Sequence, residues 1–582
     1  MSENNQKITH KVLIANRGEI AVRIIRACCD MGFLSIAIYA DVDIDALHVQ
    51  MADEAYGLSG NLPSETYLDI DKIIAIAKRS GATMVHPGYG FLSERVEFAK
   101  AVQNAGLIWI GPNPETIEIL GDKVRARQLA LQVGAPLVAG TKQPVQDVKE
   151  VVEFAHAHGL PIAIKAAFGG GGRGLKVAWQ MEEVEELYHS AVREATTAFG
   201  RGECFLEQFL HNPRHIEVQI IADTLGHVVV VGTRDCSLQR RNQKLIEESP
   251  APFLTEPLEQ QIIQASIDIC AKANYVGVGT VEFLLSQDGK LSFLEVNTRL
   301  QVEHPVTEET TGIDLVIEQL RIAQGLPLSI NQMPKPRGHA IEFRINAEDV
   351  ANGFLPVAGT IKRFDAPSGP GVRLDSGVLA GSAIPSMFDS LIAKLIIVGN
   401  NRQHAIARAR RALAEFSIEG VASVLPFARA VIEHPDFCDD FKVHTRWIET
   451  ELTATITPAK RQIPQKEATL THTFIEIDGK RCKLGFPAQL FAGLSLQTEA
   501  NLDTSSSLKE EISELIVQSP VSGSVFKWVI NDNQSVNAGD VIAIMEAMKM
   551  EVQVIAHRNG VLKQTIKEGN YVSAGSPVAE II

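Results

Sequence analysis

The last part of the chain repeats its own pattern, and this repeat constrains the fold more strongly than any other feature. Val525 recurs as Val561, 36 residues later, and Lys527 recurs as Lys563 at the same interval. Two similar β-rich halves, neither of which can bury its apolar face alone, predict a barrel or sandwich with pseudo-two-fold symmetry. The midpoint of the region is Lys549, which we therefore expect on the turn that joins the halves.

Lys549 lies within the tetrapeptide Ala-Met-Lys-Met of residues 547–550. As an isolated sequence this tetrapeptide is typical of an exposed turn with apolar neighbours. Its position at the centre of the repeat favours a functional lysine instead.

Length, charge and cysteine content limit the classes of protein. The 582 residues are enough for about three to five domains. A net charge of −15, from 70 acidic and 55 basic residues, disfavours a general affinity for nucleic acid or anionic membranes. The seven scattered cysteines predict reduced thiols without disulfides. The polar N-terminus and the lack of an apolar run of about 18 residues predict a cytoplasmic protein with no membrane span.

The N-terminal residues alternate between strand and helix patterns, which indicates a parallel sheet with helices on its faces. The predicted strands are 11–16, 34–39 and 107–110, with an apolar element at 82–85, and the predicted helices are 20–31 and 70–78. The single Gly18 is not a dinucleotide-binding fingerprint and indicates a tight strand-to-helix turn. Further on, residues 206–305 alternate β patterns with polar loops, and residues 337–450 are typical of an α+β region.

Four consecutive glycines, residues 169–172, precede Arg173 and Gly174 in a predicted strand–loop–strand unit. Without Cβ atoms, such a loop can approach phosphates with its backbone N–H groups. An uncommitted flexible turn is the alternative, and the pattern is not the P-loop motif. Lys165, at the end of the preceding strand, favours a nucleotide lid because it supplies a positive charge beside the loop.

Asp288-Gly289 predicts a two-residue β-hairpin turn. Such a turn places Glu282 directly opposite Glu295, with Asn297 on the same face as Glu295. Opposed carboxylates between apolar neighbours repel each other unless a cation lies between them. With the amide oxygen they suit Mg²⁺ or Mn²⁺, so we favour a metal site over an accidental pair.

Arg299, Gln301 and Glu303 alternate just beyond this hairpin. A planar guanidinium can hold a planar oxyanion such as bicarbonate through two parallel hydrogen bonds, and Glu303 can then act as its base. A surface salt-bridge ladder is the alternative. We expect His304 to pack against Pro305 rather than to take part in chemistry.

Several long motifs resemble one family, and they occur in the right order. They are residues 11–21 (KVLIANRGEIA), 86–94 (HPGYGFLSE), 234–241 (RDCSLQRR) and 295–307 (EVNTRLQVEHPVT). They are similar to biotin carboxylase, an ATP-grasp enzyme, and the Ala-Met-Lys-Met segment is similar to the biotinyl carrier domain, whose lysine carries biotin. The combination resembles the α subunit of bacterial acyl-CoA carboxylases, and residues 443–450 (VHTRWIET) resemble the actinobacterial acetyl-/propionyl-CoA type.

This resemblance implies an α/β and α+β fold in five regions. They are a Rossmann-like N-terminal biotin carboxylase domain (1–115), an ATP-grasp domain (116–335), a C-terminal carboxylase domain (336–454), a β-rich linker (455–513) and an all-β biotinyl carrier domain (514–582). In the linker, Asp478-Gly479 predicts a hairpin, which is a candidate element for docking a partner.

The resemblance also implies a role for each matching residue. The expected ATP-binding residues are Lys123, Lys165, Gly170, Gly171, Gly172, Glu207, Leu210, His215, Gln239 and Asn242. The expected metal ligands are Glu282, Glu295 and Asn297, and the expected bicarbonate-binding residues are Lys244, Arg299, Gln301 and Val302. The expected catalytic residues are Arg299, Glu303 as the base and Arg344 as the group that stabilises the biotin enolate, with biotin attached to Lys549. Asn242 and Gln208 depart from the family pattern, in which His and Lys are frequent.

The implied function is ATP-dependent carboxylation of carrier-bound biotin by bicarbonate, through carboxyphosphate. The carboxybiotin then supplies a separate carboxyltransferase that acts on acetyl-CoA or propionyl-CoA. The implied partners are this β subunit, a biotin protein ligase and a second copy of the chain, in a homodimer within a larger α/β assembly, with no nucleic acid and no membrane. The alternatives are the biotin carboxylase subunit of a pyruvate or other carboxylase, a different ATP-grasp ligase, and a non-enzymatic carrier.

Overall fold

A computed structural model of the chain describes residues 10–141, 143–166, 175–199, 202–452, 470–477, 480–487, 515–548 and 550–582. Two compact units are present, the second of which begins at residue 457. In the described segments, no helix combines the length and the apolar character that a membrane crossing needs.

The N-terminal alternation of strands and helices is confirmed. The strands are β1 Lys11–Ile14, β2 Leu34–Tyr39, β3 Glu54–Gly57, β4 Met84–His86 and β5 Ile108–Trp109, and the helices are α1 Gly18–Met31, α2 Leu47–Met51, α3 Ile70–Ser80 and α4 Val96–Asn104. The strands form a parallel sheet in the order β3-β2-β1-β4-β5. Gly18 has a φ of 66°, which glycine adopts without strain, and α1 begins at this residue.

A small antiparallel sheet follows. The helices here are α5 Pro114–Gly121, α6 Lys123–Gln132, α7 Val148–His158 and α8 Val184–Phe199, and the strands are β6 Ile162–Ala166, β7 Leu175–Ala178 and β8 Cys204–Gln208. The strand order is β7-β6-β8. Strands β6 and β7 pair on either side of the glycine loop, as predicted, and the loop glycines lie outside the described residues.

The third region carries most of the β structure of the first unit. Its strands are β9 Arg214–Ala222, β10 Val228–Arg240, β11 Gln243–Ser249, β12 Gly277–Leu285, β13 Leu291–Asn297, β14 His339–Asn346, β15 Glu348–Asp349, β16 Leu355–Pro356, β17 Gly359–Thr360, β18 Arg363–Asp365, β19 Val372–Ser376, β20 Ala383–Ile384, β21 Leu391–Gly399 and β22 Ser417–Glu419. Its helices are α9 Glu256–Lys272, α10 His304–Thr311, α11 Leu315–Ala323, α12 Arg402–Glu415, α13 Leu425–Val431, α14 Pro435–Cys438 and α15 Trp447–Thr450.

Helix α9 corrects the prediction of strands and loops alone over residues 206–305. Ile262, Ala265 and Ile269 are buried at helical spacing and pack in one apolar cluster with Ile216 of β9 and Val281 of β12. The period of the apolar residues in this segment is therefore that of a helix, not of a strand.

Eight of these strands form one antiparallel sheet in the order β13-β12-β9-β10-β11-β14-β21-β19. The pairing of β11 with β14 continues the sheet across residue 335, the boundary expected between the ATP-grasp and C-terminal regions. Phe343 of β14 and Leu395 of β21 are buried in the apolar core that also contains Ile406 of α12. A continuous sheet supported in this way holds side chains from distant parts of the chain in fixed register.

The second unit consists of β structure in the described residues. The hairpin strands are β23 Leu470–Ile477 and β24 Lys480–Pro487, and the following strands are β25 Ile516–Gln518, β26 Gly523–Trp528, β27 Ser535–Val536, β28 Val541–Ala547, β29 Met550–Ile555, β30 Gly560–Gln564, β31 Tyr571–Val572 and β32 Pro577–Ile581. The pairing of Ile477 with Lys480 confirms the predicted hairpin, whose Asp478 and Gly479 lie outside the described residues.

The repeat is visible in the sheets of the second unit. The two four-stranded sheets have the orders β25-β32-β30-β27 and β29-β28-β26-β31. Each strand of one sheet corresponds, through the sequence repeat, to the strand at the same place in the other. The predicted two-fold β architecture is thus confirmed. Lys549, between β28 and β29, lies outside the described residues.

Candidate active site

Four charged side chains form a row across the eight-stranded sheet. The register pairs Glu295 of β13 with Glu282 of β12, Glu282 with Glu217 of β9, and Glu217 with Arg234 of β10. Paired residues of antiparallel strands point to the same face, so three carboxylates and one guanidinium share a face. The predicted opposition of Glu282 and Glu295 is confirmed.

The hairpin reaches this register by a different turn from the one predicted. The N–H of Ser286 donates to the carbonyl oxygen of Lys290 at 2.9 Å, so residues 287–289 form a three-residue loop and the predicted two-residue turn is wrong. The register then skips Leu294, which is the extra residue of a β-bulge. The bulge restores the opposition of the two glutamates because it adds one residue to β13.

Lys244 of β11 is the central cation of the site. Its Nζ lies 3.0 Å from Oε1 of Glu282 and 2.8 Å from Oε1 of Glu303, and it also contacts Glu217. Burial alone would raise the pKa of Glu282, but Lys244 and His215 outweigh burial and hold that pKa well below its usual range. Glu282 is therefore ionised.

Glu303, at the start of α10, is held between two cations. Lys244 donates to Oε1 at 2.8 Å, and Nη2 of Arg344 donates to Oε2 at 3.0 Å. Burial would raise the pKa of Glu303, but Lys244, Arg344 and Arg234 together lower it below the ordinary range. The Glu303 carboxylate therefore stays ionised although it is buried.

The residues before Glu303 are part of the same network. Nε of Arg299 donates to Glu94 at 3.0 Å and its Nη2 donates to Asn297 at 3.0 Å. Gln301 and Glu303 are each 2% exposed, so the alternative of a surface salt-bridge ladder is wrong. The carbonyl oxygen of Val302 accepts a hydrogen bond of 2.8 Å from the buried Lys394, which fixes the backbone next to Glu303.

Arg234 links several side chains of this network by hydrogen bonds. Its guanidinium is fully buried and donates to Glu217 at 2.9 Å, to Gln219 at 2.6 Å and to Gln301 at 2.6 Å. Nε2 of Gln301 in turn donates to Glu282 at 2.7 Å. The planar arginine fork therefore fixes side chains from several strands at once.

The residues expected to bind ATP occupy several neighbouring elements. Lys123, at the start of α6, lies 3.2 Å from Glu295, and Lys165 of β6 contacts Glu207 of β8. His215 Nε2 lies 2.9 Å from Glu282 Oε2, so this residue joins the row of carboxylates.

The remaining expected ATP-binding residues occupy different surroundings, from the buried network to the protein surface. Nε2 of Gln239 lies 3.3 Å from Nδ1 of His215, and Leu210 is buried beyond β8. Asn242 is exposed in the turn between β10 and β11 and has a φ of 64°. Gly170, Gly171 and Gly172 lie outside the described residues.

The donor atoms around Glu282 and Glu295 fit a hard divalent cation. Two opposed carboxylates and the amide oxygen of Asn297 are the oxygen-rich group that Mg²⁺ and Mn²⁺ prefer. In the structure the amide nitrogen of Asn297 donates to Glu282 at 2.7 Å, and its amide oxygen accepts from Arg299 at 3.0 Å. Glu295 is about one-third exposed, so the pair opens toward solvent on one side. Lys123 and Lys244 balance the carboxylate charge in the structure.

Several residues of the network are absent from the sequence-based prediction. They are Glu94, Glu217, Arg234, Glu247 and Lys394. Only β9 offers a local signal: His215, Glu217 and Gln219 alternate with apolar residues in a strand that is otherwise buried. Polar side chains at every second position of a buried strand indicate a charged face inside the protein.

Cys236 lies near this network but does not suit nucleophilic chemistry. The six cysteines whose side chains the structure describes are free, in agreement with the prediction. Burial raises the pKa of the Cys236 thiol well above its ordinary value, so Cys236 is a poor nucleophile despite its position between Glu217 and Glu303.

Family comparisons match nearly all of the chain. Residues 8–117 match the "Biotin carboxylase, N-terminal domain", and residues 122–331 match the "Carbamoyl-phosphate synthase L chain, ATP binding domain". Residues 342–450 match the "Biotin carboxylase C-terminal domain", and residues 516–581 match the family described as "Biotin-requiring enzyme".

Individual relatives agree with these matches. The chain is 53% identical to the biotin-dependent acyl-coenzyme A carboxylase alpha3 subunit of Mycobacterium leprae, over 98% of each chain. The structure of the biotin carboxylase–β,γ-ATP complex from Campylobacter jejuni has a TM-score of 0.71 at 40% identity and covers 75% of this chain and 98% of its own. The biotin carboxylase domain of Hydrogenobacter thermophilus 2-oxoglutarate carboxylase, solved with MgADP and bicarbonate, has a TM-score of 0.70 at 43% identity and covers 75% and 97%.

These matches and the site geometry agree on one chemistry. The chain is an ATP-grasp biotin carboxylase, with biotin, ATP and Mg²⁺ as its cofactors. The same chain carries a biotinyl domain downstream. It therefore belongs to the family of biotin-dependent acyl-CoA carboxylase α subunits.

Proposed function

We propose that this chain carboxylates biotin attached to Lys549 and supplies a carboxyltransferase that acts on acetyl-CoA or propionyl-CoA. The choice of an acyl-CoA acceptor is supported by the Mycobacterium leprae relative, whose likeness extends through the carrier region. The observation that carries the proposed chemistry is the ionised Glu303, held between Lys244 and Arg344.

The nucleotide side of the proposed site consists of Lys123, Lys165, Glu207 and the glycine loop. Glu282, Glu295 and Asn297 would hold Mg²⁺, which neutralises charge on the phosphates of ATP when it is bound. The lysines add positive charge where the γ-phosphoryl group is transferred to bicarbonate. That transfer makes carboxyphosphate and so activates a poor electrophile.

The bicarbonate side consists of Lys244, Arg299, Gln301 and the backbone of Val302. These groups hold the planar anion next to Glu303, which accepts its proton when the phosphoryl group is transferred. Carboxyphosphate would release CO2 and phosphate beside biotin, and the phosphate would accept the proton of the ureido nitrogen that CO2 joins. Arg344 lies 3.0 Å from Glu303 and would stabilise the negative charge on the ureido oxygen. The base and the charge-stabilising group are thus in contact before the reaction begins.

The proposal requires partners that the chain does not itself supply. A biotin protein ligase modifies Lys549, and a separate carboxyltransferase subunit accepts the carboxyl group, with residues 455–513 as a candidate docking region. A homodimer of the carboxylase part is supported by the Hydrogenobacter structure, which is a dimer of that domain, and we place this homodimer within a larger α/β assembly.

The acceptor is tested with the complex isolated from its own cells. After labelling with ATP and [¹⁴C]bicarbonate, the complex is offered acetyl-CoA, propionyl-CoA, longer acyl-CoAs and pyruvate. We expect label transfer to acetyl-CoA or propionyl-CoA. Transfer to pyruvate alone would instead support a pyruvate carboxylase subunit, and ATP cleavage that does not depend on bicarbonate would indicate a different ATP-grasp ligase.

A further inference from the structure

Glu247 of β11 is a fully buried carboxylate that the proposed reaction does not use. Its Oε1 accepts a hydrogen bond from Nε of Arg344 at 2.5 Å, and Nη2 of the same guanidinium lies 2.5 Å from that oxygen. One edge of Arg344 is therefore directed at Glu247. In the register, Glu247 pairs with Glu342 of β14, and Glu342 precedes Arg344 by two residues on the same strand face.

Arg344 thus contacts two carboxylates, those of Glu303 and Glu247, in different ways. Glu303 binds only Nη2, at 3.0 Å, whereas Glu247 binds the edge formed by Nε and Nη2. When Glu303 takes up a proton, it becomes neutral and its attraction for the guanidinium weakens. Glu247 stays in place through that change, so Arg344 keeps its orientation at the step where biotin needs it. Among the described residues, Nη1 of Arg344 has no hydrogen-bond partner, and it is free to face a ligand.

We propose that Glu247 is a positioning residue, whose buried carboxylate holds the Arg344 guanidinium against the ureido oxygen of biotin after Glu303 has accepted the proton of bicarbonate. This inference rests on the proposed function, since it assigns Glu247 to the biotin half of that reaction. It predicts that loss of Glu247 separates ATP cleavage from biotin carboxylation rather than reducing both equally.

The surroundings of Glu247 support a single negative charge at this position. The titratable and charged groups that face it are Arg344, Glu342, Glu303, Lys244 and Cys236. Both carboxyl oxygens of Glu342 are buried, without a hydrogen-bond partner among the described residues, and burial raises the pKa of Glu342 well above its usual value. Glu342 is therefore a neutral acid. Burial also raises the pKa of Glu247, to about 7, so Glu247 carries the charge that Arg344 binds above that pH.

The test compares Glu247→Gln with Glu248→Gln in the full-length, biotinylated chain. Glutamine keeps the size of the side chain and removes the charge. Glu248 is the adjacent buried glutamate, but it contacts His339 at 2.6 Å and Arg402 at 2.7 Å instead of Arg344. The measured quantity is the label from [¹⁴C]bicarbonate that reaches biotin per ATP cleaved.

For Glu247→Gln we expect this ratio to fall by about 10-fold to 100-fold, because a misplaced catalytic group loses rate of that order. The KM for ATP should stay close to that of the wild type. Glu248→Gln should lower the melting temperature and leave the ratio unchanged.

A wild-type ratio for Glu247→Gln would overturn the positioning role. If the wild-type chain itself incorporates no label, the proposed function fails instead. Should Glu247→Gln not fold, Glu247→Asp is measured in the same assay. The shorter carboxylate withdraws from Arg344, so the proposal predicts a lowered ratio, and a wild-type ratio would again contradict it.

Discussion

At the scale of single residues, Glu303 illustrates how the environment decides chemistry. Its side chain is as buried as an apolar core residue, a position that ordinarily favours the neutral acid. Three surrounding cations reverse this preference and lower its pKa. The same cations keep the carboxylate in place, so the proposed base is charged and oriented before bicarbonate binds.

Replacement of Glu303 by glutamine should abolish most of the carboxylation. We expect label incorporation from [¹⁴C]bicarbonate to fall by about 100-fold or more, the usual effect of losing a general base. Glu309→Gln is the matched control, because Glu309 lies on the same helix and contacts only Arg373 in the described part of the chain, at 3.1 Å. Retention of half the wild-type rate by Glu303→Gln would mean that another group takes the proton.

The pH dependence of biotin carboxylation should reflect the ionisation of Glu247. Burial raises the pKa of Glu247 to about 7, although Arg344 acts in the opposite direction. An acid with a raised pKa is ionised only above that value, so its hold on Arg344 weakens as the pH falls through about 7. We expect the label incorporated per ATP cleaved to decrease from pH 8 to pH 6 in the wild type. In Glu247→Gln this ratio should be low and independent of pH, and a wild-type slope in the variant would assign the dependence to another group.

At the scale of elements, the sequence predicts the opposition of Glu282 and Glu295 in the hairpin β12–β13 correctly, although the turn type it predicts is wrong. The sequence predicts a two-residue turn, whereas the loop has three residues and Leu294 forms a bulge. The two differences compensate, and Glu282 still lies opposite Glu295. Turn signals are local, but a bulge is selected by packing along the whole strand.

Insertion of one alanine between Leu294 and Glu295 tests the importance of the bulge. The alanine takes the place of Glu295 opposite Glu282, and a slip of one residue moves every side chain beyond it to the other face of the sheet, so Glu295 and Asn297 should turn away from Glu282. We expect Mg²⁺-dependent ATP binding, measured by calorimetry, to be lost. Insertion of one glycine between Asp288 and Gly289 is the control, since it lengthens the loop on the turn side of the bulge, and ATP binding should persist. Equal binding by both variants would contradict the role of the bulge.

At the scale of the whole molecule, the two units differ in how much of their architecture the local sequence predicts. The second unit is a short repeat whose two halves build two equivalent sheets, so its architecture is readable from local pattern. The first unit instead gathers the site from strands far apart in the sequence, as in the pairing of Glu247 with Glu342.

Replacement of Lys549 by arginine should abolish biotinylation of the second unit and leave the carboxylase activity of the first unit intact. The variant should lack the mass of one biotin, because arginine has no primary amine for the amide, while carboxylation of added free biotin continues. Lys527→Arg and Lys563→Arg change exposed lysines at equivalent positions of the repeat and should remain biotinylated. Intact-mass spectrometry measures the modification, and a biotinylated Lys549→Arg chain would place the attachment at another residue.

The sequence by itself determined the features that depend on neighbouring residues. These are the N-terminal alternation, the strands around the glycine loop, the two-fold carrier repeat and the opposition of Glu282 and Glu295. Side-chain period and turn chemistry act over a few residues, so they are legible without a structure. Helix α9 is an exception, because the sequence predicts strands and loops over a segment whose apolar residues are spaced as in a helix.

Only the tertiary structure decided which distant groups meet. Glu217, Arg234, Glu247 and Lys394 join the site because β9, β10, β11 and β21 take their places in one sheet. No local pattern specifies that order, since strand partners are chosen by the packing of the whole core. Burial in that core then sets which acids are charged, and it is this non-local environment that makes Glu303 an anion and Glu342 a neutral acid.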